Sequence, residues 1–153
     1  MKKYELLVED TITFFGVQLF RIKALISFSG IGKGEVGGYI ASEKNLSQYG
    51  NAWVSGDARV YGNARVYGDA EVYGNAWVSG DADYIVFKNT WSSGRYFTYT
   101  KSNKNWRVGC FYGSGAELVE KAYKDSKKSG DFYKAYVDFV EKLEEIENIH
   151  KEQ

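Results

Sequence analysis

The side chains best suited to chemistry in this sequence lie in residues 84–113, where basic and aromatic residues alternate and neither Asp nor Glu occurs. Arginine forks and lysine ammonium groups bind phosphate oxygens, and aromatic ring faces stack on nucleobases. The pattern therefore predicts a site for a small anionic, nucleotide-like ligand. The residues expected to form it are Trp91, Arg95, Lys101, Trp106 and Arg107, joined by Arg59 and Trp77 from the preceding segment. Alternatively, these charges only cover the polar face of an antiparallel sheet.

The residue types that catalysis most often uses are scarce. His150 is the only histidine, on a polar helix end where a solvated side chain is expected, and Cys110 is the only cysteine. Cys110 lies in a strand pattern among aromatic residues, which predicts an inert buried thiol. One histidine and one cysteine cannot build a three-histidine zinc site, a thiolate cluster or an intrachain disulfide. We expect no catalytic residue, no metal and no cofactor, and hence a protein that is not an enzyme.

Composition sets the scale of the molecule. The 153 residues suffice for one domain with a small appendage. The 20 basic and 20 acidic residues balance, so general DNA binding is not expected. Acidic residues within the first ten positions argue against a secretion signal, and no apolar run is long enough for a membrane span. With a single cysteine, these features predict a soluble protein of a reducing cytoplasm.

A six-residue repeat runs through the middle of the chain, from GNAWVS at residue 50 to GDADYI at residue 80. Within each unit Ala and Val alternate with a variable residue, so both face one side of a short strand. Gly followed by Asn or Asp forms the corner between units. The expected inward columns are Ala52, Ala58, Ala64, Ala70, Ala76 and Ala82, and Val54, Val60, Val66, Val72 and Val78. The Ala column extrapolates back to Leu46 and Ile40, where the solenoid is expected to begin.

These units resemble the hexapeptide-repeat family. The resemblance implies a short left-handed triangular β-helix with three units per coil, about 2.5 to 3 coils in all. It also implies side-by-side trimers, and it brings acyltransferase activity into consideration. Family acyltransferases use a histidine on a loop that leaves the helix, and this repeat has neither the loop nor the histidine.

Three units per coil predict that residue i stacks on residue i+18. The corner residues then pair an amide with a carboxylate in every case, which avoids stacking two like charges. At the outward positions Arg65 would form an ion pair with Asp83, and Arg59 would stack on Trp77. The corner pairs are Asn51 with Asp69, Asp57 with Asn75, and Asn63 with Asp81.

Other outward positions of the coils are aromatic, and a subunit interface is the favoured explanation. The residues expected at this interface are Trp53, Tyr61, Tyr67 and Tyr73. Fewer than three coils provide little core, so we expect a homo-oligomer, with a trimer favoured.

The flanking segments complete a mainly β fold with C-terminal helices. We expect an N-terminal β cap over 1–39 that contains a hairpin, the β-helix over 40–83, the basic aromatic β segment over 84–113, and two helices over 114–153, with the last two forming a small α+β unit. Ser114 and Glu117 predict the start of the first helix, Gly130 its end, and Asp131 the cap of the second. A stripe of Phe132, Tyr136, Phe139, Leu143 and Ile146 is expected to pack on the core, the alternative being a helix seam between subunits.

The order of segments is similar to that of small, mostly uncharacterised phage and prophage proteins. That resemblance implies a host-cell setting rather than an activity. The leading hypothesis is a non-catalytic oligomeric phage protein that antagonises a host defence process by sequestering a nucleotide-type signal. The alternatives are a module that binds a host protein and, disfavoured for lack of a catalytic histidine, an acyltransferase.

Overall fold

The computed structural model describes residues 1–151, and its fold is mainly β with two C-terminal helices. The strands and helices are β1 (Tyr4–Phe14), β2 (Val17–Ala24), β3 (Val36–Ile40), β4 (Trp53–Val54), β5 (Arg59–Val60), β6 (Glu71–Val72), β7 (Trp77–Val78), β8 (Tyr84–Lys88), β9 (Tyr96–Thr100), β10 (Asn105–Val108), β11 (Phe111–Ser114), α1 (Gly115–Asp125) and α2 (Lys127–Lys151). Within the described residues no helix is long and apolar enough to cross a membrane.

The repeat winds so that the chain returns to the same side every 18 residues. Trp53 pairs with Glu71 and Arg59 with Trp77, in parallel register. One ladder joins β3, β5 and β7, a second joins β4 and β6, and a bridge from Leu46 to Val66 forms a third. In these ladders the amide of residue i donates to the carbonyl of residue i+17 when residues i and i+18 pair, as Trp53 does to Ala70. The amide of Asn51 donates to Gly68 in the same way, so the expected pairing of residues 18 apart is confirmed from residue 51 onward.

The first coil is longer than predicted. Ile40 pairs with Val60 and Leu46 with Val66, a separation of 20 residues rather than 18. The assignment of Ile40 and Leu46 to the Ala column was therefore wrong, because both continue the Val column. The amide of Ser47 donates to the carbonyl of Val66, 19 residues later, whereas the amide of Asn51 donates to that of Gly68, 17 residues later. The two additional residues therefore lie between Ser47 and Asn51.

Both inward columns form the core of the solenoid. The Ala residues from 52 to 76 and the Val residues from 54 to 78 have no exposed surface. Ala82 is the exception, because the chain leaves the repeat there in a short 3-10 turn and the residue is exposed. Each corner glycine from 50 to 74 has φ between 63° and 73°, a left-handed conformation that favours glycine. The regular glycines of the sequence are therefore needed to turn each corner.

Side-chain stacking along the coils follows the prediction only in part. The amide of Asn51 donates to the Asp69 carboxylate at 3.2 Å, as expected. Asp57 instead faces Arg21 of the N-terminal hairpin at 3.5 Å. The predicted ion pair of Arg65 with Asp83 is wrong, because Asp83 accepts bonds from the amides of Ser79 and Gly80.

The N-terminal hairpin extends the solenoid at its first coil. β1 and β2 pair antiparallel around a turn at Phe15 and Gly16, and β2 pairs antiparallel with β3. The first coil leaves backbone carbonyls without a preceding coil to bind them. The buried Lys3 ammonium donates to Ala52 at 2.7 Å, and the Tyr4 hydroxyl donates to Leu46 at 2.6 Å. Donor side chains thus satisfy the carbonyls at this end.

The last coil has the opposite requirement, because its backbone N–H groups lack a following coil. Three residues spaced six apart meet three side-chain acceptors. The amide of Arg65 donates to Asp81 at 2.7 Å, that of Glu71 to Thr98 at 3.0 Å, and that of Trp77 to Ser102 at 2.7 Å. Thr98 and Ser102 belong to the C-terminal unit, which therefore closes this end.

The C-terminal unit is an antiparallel sheet in the order β11-β10-β9-β8, packed against α1 and α2. β8 joins the two parts, since Tyr84 and Val86 pack on the solenoid core while Ile85 and Phe87 pack on the core of the C-terminal unit. Ser114 caps α1 and exchanges bonds with Glu117, as predicted.

The second helix differs from the prediction in its start and its buried face. α1 ends at Asp125 and α2 begins at Lys127, so Gly130 lies inside α2 and Asp131 does not cap it. The buried residues of α2 are Gly130, Tyr133, Val137 and Val140. The predicted core stripe lies beside this face, and three of its members, Phe132, Phe139 and Ile146, remain exposed.

Candidate functional site

Two of the predicted arginines line one cleft between the solenoid and the antiparallel sheet, which we call the arginine cleft. Its volume is about 680 Å³. Arg95 comes from the segment before β9, and Arg107 comes from β10. The solenoid contributes Asp69 and Glu71. The remaining lining residues are Ser29, Gly30, Ile31, Asn51, Ser93, Gly94, Tyr96, Gly109 and Cys110.

The guanidinium of Arg107 is held against the solenoid. Its Cζ lies 4.1 Å from the Tyr73 ring centroid, a cation-π contact. Its Nε lies 4.0 Å from the Glu71 carboxylate and has no hydrogen-bond partner in the part of the chain described. This Nε is buried beside the Glu71 carboxylate, so it is not itself open to the cleft.

Arg95 lies across the tight turn that joins β10 and β11. A side chain at Gly109 would overlap its guanidinium, and Gly109 has a φ of 55°. The backbone conformation favours glycine at this turn, and any other residue would displace the flexible end of Arg95. The turn and Arg95 together line one wall of the cleft.

The charges of the cleft are balanced rather than purely basic. Arg95 and Arg107 face Asp69 and Glu71, and Asp69 already accepts a bond from Asn51. Burial raises the pKa of Glu71, and the Arg107 and Arg95 charges oppose that increase. This arrangement suits a ligand that carries both an anionic group and hydrogen-bond donors.

Other predicted residues meet at a second cleft of about 780 Å³, which we call the tryptophan cleft. It contains Trp77, Tyr61 and Lys101 beside the end of α2. The Lys101 ammonium donates to Glu147 at 2.6 Å. Lys101 and Trp77 are therefore separated from Arg95 and Arg107, and they do not form one site.

Three further residues predicted to bind ligand have structural positions instead. Trp106 is buried and packs on Phe97 and Tyr99, because its side of β10 faces the helices. Trp91 stacks on Phe132 at 4.6 Å. Arg59 packs over Phe14, with 4.4 Å to the ring centroid, rather than over Trp77. The N-terminal hairpin folds back on this side of the solenoid, where Phe14 covers Arg59 and contacts Trp77.

The predicted interface residues are mostly covered by the chain itself. Trp53 is buried against Tyr4 and Phe28. Tyr61 contacts Phe14, and Tyr73 contacts Tyr112, so both are partly buried. Tyr67 is 63% exposed and is the only one of the four that is exposed rather than buried or half-buried. The flanking segments were not expected to fold over these faces.

Cys110 and His150 are the only cysteine and the only histidine of the sequence, and the structure shows how exposed each of them is. The prediction of a buried thiol was wrong, because Cys110 lies in the β10–β11 turn and is exposed. His150 is exposed near the end of α2, as predicted. No group of three or more His, Cys, Asp or Glu residues that could hold a metal ion occurs in residues 1–151.

The sequence prediction missed Glu71, Asp69 and Tyr96. One signal for Glu71 was available, because it is the only glutamate at an outward middle position of the six-residue units. Tyr96 directly follows Arg95 and is 40% exposed. Its place on the cleft wall depends on the segment that precedes β9, which the charge pattern did not reveal.

Comparison with known proteins supports a β-solenoid repeat in the middle of the chain. A family model described as the YdcK beta solenoid repeat matches residues 58–72, at the centre of the parallel ladders. No curated protein matches the chain.

Proposed function

We propose that this protein is a non-catalytic binding protein whose arginine cleft holds a nucleotide-type ligand. In its fullest form the proposal is an oligomeric, phage-encoded protein that acts in the host cytoplasm and antagonises a defence process by sequestering a signal of this type. The scaffold is a left-handed three-sided solenoid of about 2.5 to 3 coils.

One observation carries the proposal: two arginines, one just before β9 and one in β10, line the same cleft. The guanidinium forks bind phosphate in pairs of hydrogen bonds, and the half-exposed Tyr96 ring offers a stacking surface. The Asp69 and Glu71 carboxylates accept hydrogen bonds, which suits the amino and imino groups of a base. The phage setting is supported by the resemblance of the whole segment order.

Isothermal titration with linear and cyclic nucleotides tests the binding. We expect Arg95→Ala and Arg107→Ala each to weaken binding at least about tenfold, since a hydrogen bond to a charged group contributes about 1.5–3 kcal/mol. Glu71→Gln removes a carboxylate that competes for the arginines. We expect it to preserve or strengthen binding of the phosphate.

Lys104→Ala is the matched control, because Lys104 is a basic residue of the same segment that lies outside the arginine cleft. Its affinity should equal that of the unaltered protein. Absence of heat and of any thermal shift with every nucleotide would exclude the nucleotide proposal. Equal losses in Lys104→Ala and Arg107→Ala would show nonspecific attraction instead.

A second candidate function, capture of a host protein, is favoured by the third ladder of the solenoid. Tyr49 is 85% exposed and Tyr67 is 63% exposed, and both border a groove of about 600 Å³ that contains Leu46 and Val66. Exposed tyrosines at a groove are typical of protein interfaces. Recovery of a specific bacterial protein by the unaltered chain, but not by Tyr67→Ser, would support this function.

A further inference from the structure

The arginine cleft contains two opposite charges that lie side by side without a hydrogen bond between them. Arg107 and Glu71 both line the cleft, and the Arg107 Nε lies 4.0 Å from the Glu71 carboxylate. A hydrogen bond between nitrogen and oxygen spans about 2.7–3.2 Å, so this ion pair leaves the bonding groups of both side chains unused. Within residues 1–151 the Glu71 carboxylate accepts no hydrogen bond, and the two terminal nitrogens of Arg107 donate none.

The two side chains are held in place by their neighbours. The Glu71 amide donates to the Thr98 hydroxyl at 3.0 Å, and Thr98 lies directly opposite Arg107 in the ladder between β9 and β10. The Arg107 guanidinium packs on the Tyr73 ring, with 4.1 Å between its Cζ and the ring centroid. Groups that their surroundings already fix lose less conformational entropy when a ligand binds. The pair is therefore preorganised for recognition.

We propose that Arg107 and Glu71 together recognise the base of a guanine nucleotide and that Arg95 binds its phosphate. This inference rests on the proposed function, because it names the base that the same cleft takes. An arginine beside a glutamate presents two hydrogen-bond donors next to two acceptors. Guanine presents the complement along one edge, with the acceptors N7 and O6 followed by the donors N1–H and N2–H.

The other bases match this arrangement less well. Adenine carries an amino donor where guanine has O6, so it gives Arg107 one acceptor and faces Glu71 with the acceptor N1. Cytosine offers Glu71 a single amino group, and uracil offers a single imino group. Guanine is the base that gives both side chains a pair of hydrogen bonds, and two such bonds to N7 and O6 are the commonest specific contact of arginine with a base.

Arg95 remains available for the phosphate. Its guanidinium lies over Gly109 in the turn between β10 and β11, at the wall of the same cleft. Within residues 1–151 this guanidinium has neither an ion pair nor a hydrogen bond, since the only bond that Arg95 donates to a side chain comes from its backbone amide. Arginine binds phosphate oxygens through two parallel hydrogen bonds. The cleft volume of about 680 Å³ lies within the range of about 300–1,000 Å³ that is typical of small-molecule sites.

Isothermal titration of the unaltered protein with GMP, IMP, CMP and AMP tests the preference without any substitution. IMP differs from GMP only in lacking the 2-amino group, so IMP and CMP each give Glu71 one donor and AMP gives it none. We expect GMP to bind about tenfold more tightly than IMP or CMP, and AMP to bind most weakly. Equal affinities for GMP and AMP would overturn the guanine preference and leave the nucleotide-binding proposal intact. Absence of binding by every nucleotide would overturn both.

Glu71→Gln tests whether this carboxylate is the source of the preference. The substitution keeps the size of the side chain but offers guanine one acceptor instead of two. We expect GMP to bind this variant no more tightly than IMP, with unchanged circular dichroism. Asp57→Asn is the matched control, because Asp57 is a carboxylate of the same solenoid that lies outside the cleft, and it should keep the tenfold ratio. A tenfold ratio that persists in Glu71→Gln would contradict recognition by Glu71.

Arg95→Ala tests the assignment of the phosphate. Guanosine has the same base as GMP and no phosphate, so the ratio of the two affinities measures what the phosphate contributes. In the unaltered protein we expect GMP to bind about tenfold more tightly than guanosine. This ratio should fall to about one in Arg95→Ala. If Arg95→Ala keeps the ratio, or if Arg107→Ala removes it instead, the division of roles between the two arginines is wrong.

Discussion

The two ends of the solenoid are closed by opposite chemistry. At the first coil the backbone presents carbonyls, and the side chains of Lys3 and Tyr4 donate to them. At the last coil the backbone presents N–H groups, and Asp81, Thr98 and Ser102 accept from them. Most bonds between coils run from an earlier amide to a later carbonyl, so donor side chains predominate at the first coil and acceptors at the last. The pattern has exceptions, since the amide of Val66 donates back to Asn45 and the Tyr84 hydroxyl donates to the Arg65 carbonyl at the last coil.

The two caps also differ in what they leave open. The N-terminal hairpin packs Phe14 over Arg59, next to Tyr61 and Trp77. The C-terminal unit closes its end while leaving the arginine cleft beside Glu71. The comparison teaches that a cap can close an end of the solenoid with or without leaving a cleft beside it. The C-terminal cap closes its end and borders the arginine cleft. Each cap can be tested separately by the following changes.

The largest effect is expected at the N-terminal cap. Lys3→Ala removes a buried side chain and leaves the carbonyls of residues 49, 50 and 52 without a donor. We expect it to lower the free energy of unfolding by about 3 kcal/mol. Lys3→Met keeps the volume and should lose about half as much. Urea denaturation measures both, and nucleotide binding by the folded variants should be unchanged.

The pH dependence of stability should isolate the same residue. Burial lowers the pKa of Lys3 to about 8, so between pH 8 and pH 10 the unfolded chain binds more protons than the folded one. The free energy of unfolding should therefore rise with pH in this window, by at most about 1.4 kcal/mol per pH unit. Denaturation of Lys3→Met should show a flatter dependence. An equal slope in that variant would contradict the assignment.

Above pH 10 the tyrosines reverse the trend. Burial raises the pKa of Tyr84 to about 12, and it raises the pKa of Tyr4 and Tyr99 as well. Their hydroxyls then ionise first in the unfolded chain, so stability falls as pH rises further. The stability maximum near pH 10 is the feature to look for.

The C-terminal cap should respond less strongly. Thr98→Val keeps the shape of a buried side chain but leaves the Glu71 amide without its acceptor. We expect a loss of about 1 kcal/mol in the free energy of unfolding. Faster hydrogen exchange at the Glu71 amide, with the Trp53 amide unaffected, would locate the loss at this end. No change at Glu71 would contradict the capping role.

The smallest effect is expected at Ser102. Its hydroxyl accepts from the Trp77 amide, but the residue is exposed and water can replace it. Ser102→Ala should therefore cost about 0.5 kcal/mol or less in urea denaturation. A loss equal to that of Thr98→Val would show that the two acceptors are equally shielded from water.

The repeat was the most predictable part of the molecule, because its order depends on residues close in sequence. Pairing of Trp53 with Glu71 followed from the six-residue period together with the three units per coil that the resemblance to the hexapeptide-repeat family implies. The longer first coil did not, since Leu46 is apolar and fits either column. Burial of Lys3 was not predictable either, because it depends on carbonyls more than forty residues away.

The predictions of the buried face of α2 and of the position of Arg59 failed because one sequence pattern is compatible with two arrangements of the chain. α2 has two adjoining apolar stripes, and the large aromatic residues pointed to the less buried one, of which three members remain exposed. Arg95 and Arg107 come together because β9 and β10 are neighbours in the sheet, with Arg107 opposite Thr98. Arg59 has the same residue type, yet the hairpin covers it, and no local feature of the sequence distinguishes the two situations.

The arginine side chains themselves provide the most direct test of the account. In ¹⁵N NMR spectra the Nε–H signals of Arg95, Arg107 and Arg59 can be followed while a nucleoside monophosphate is added. The account predicts saturable shifts for Arg95 and Arg107, with Arg59 under Phe14 unchanged as the internal control. Equal shifts of all three signals, or none at Arg95 and Arg107 at millimolar ligand, would contradict the assignment of binding to the C-terminal cap.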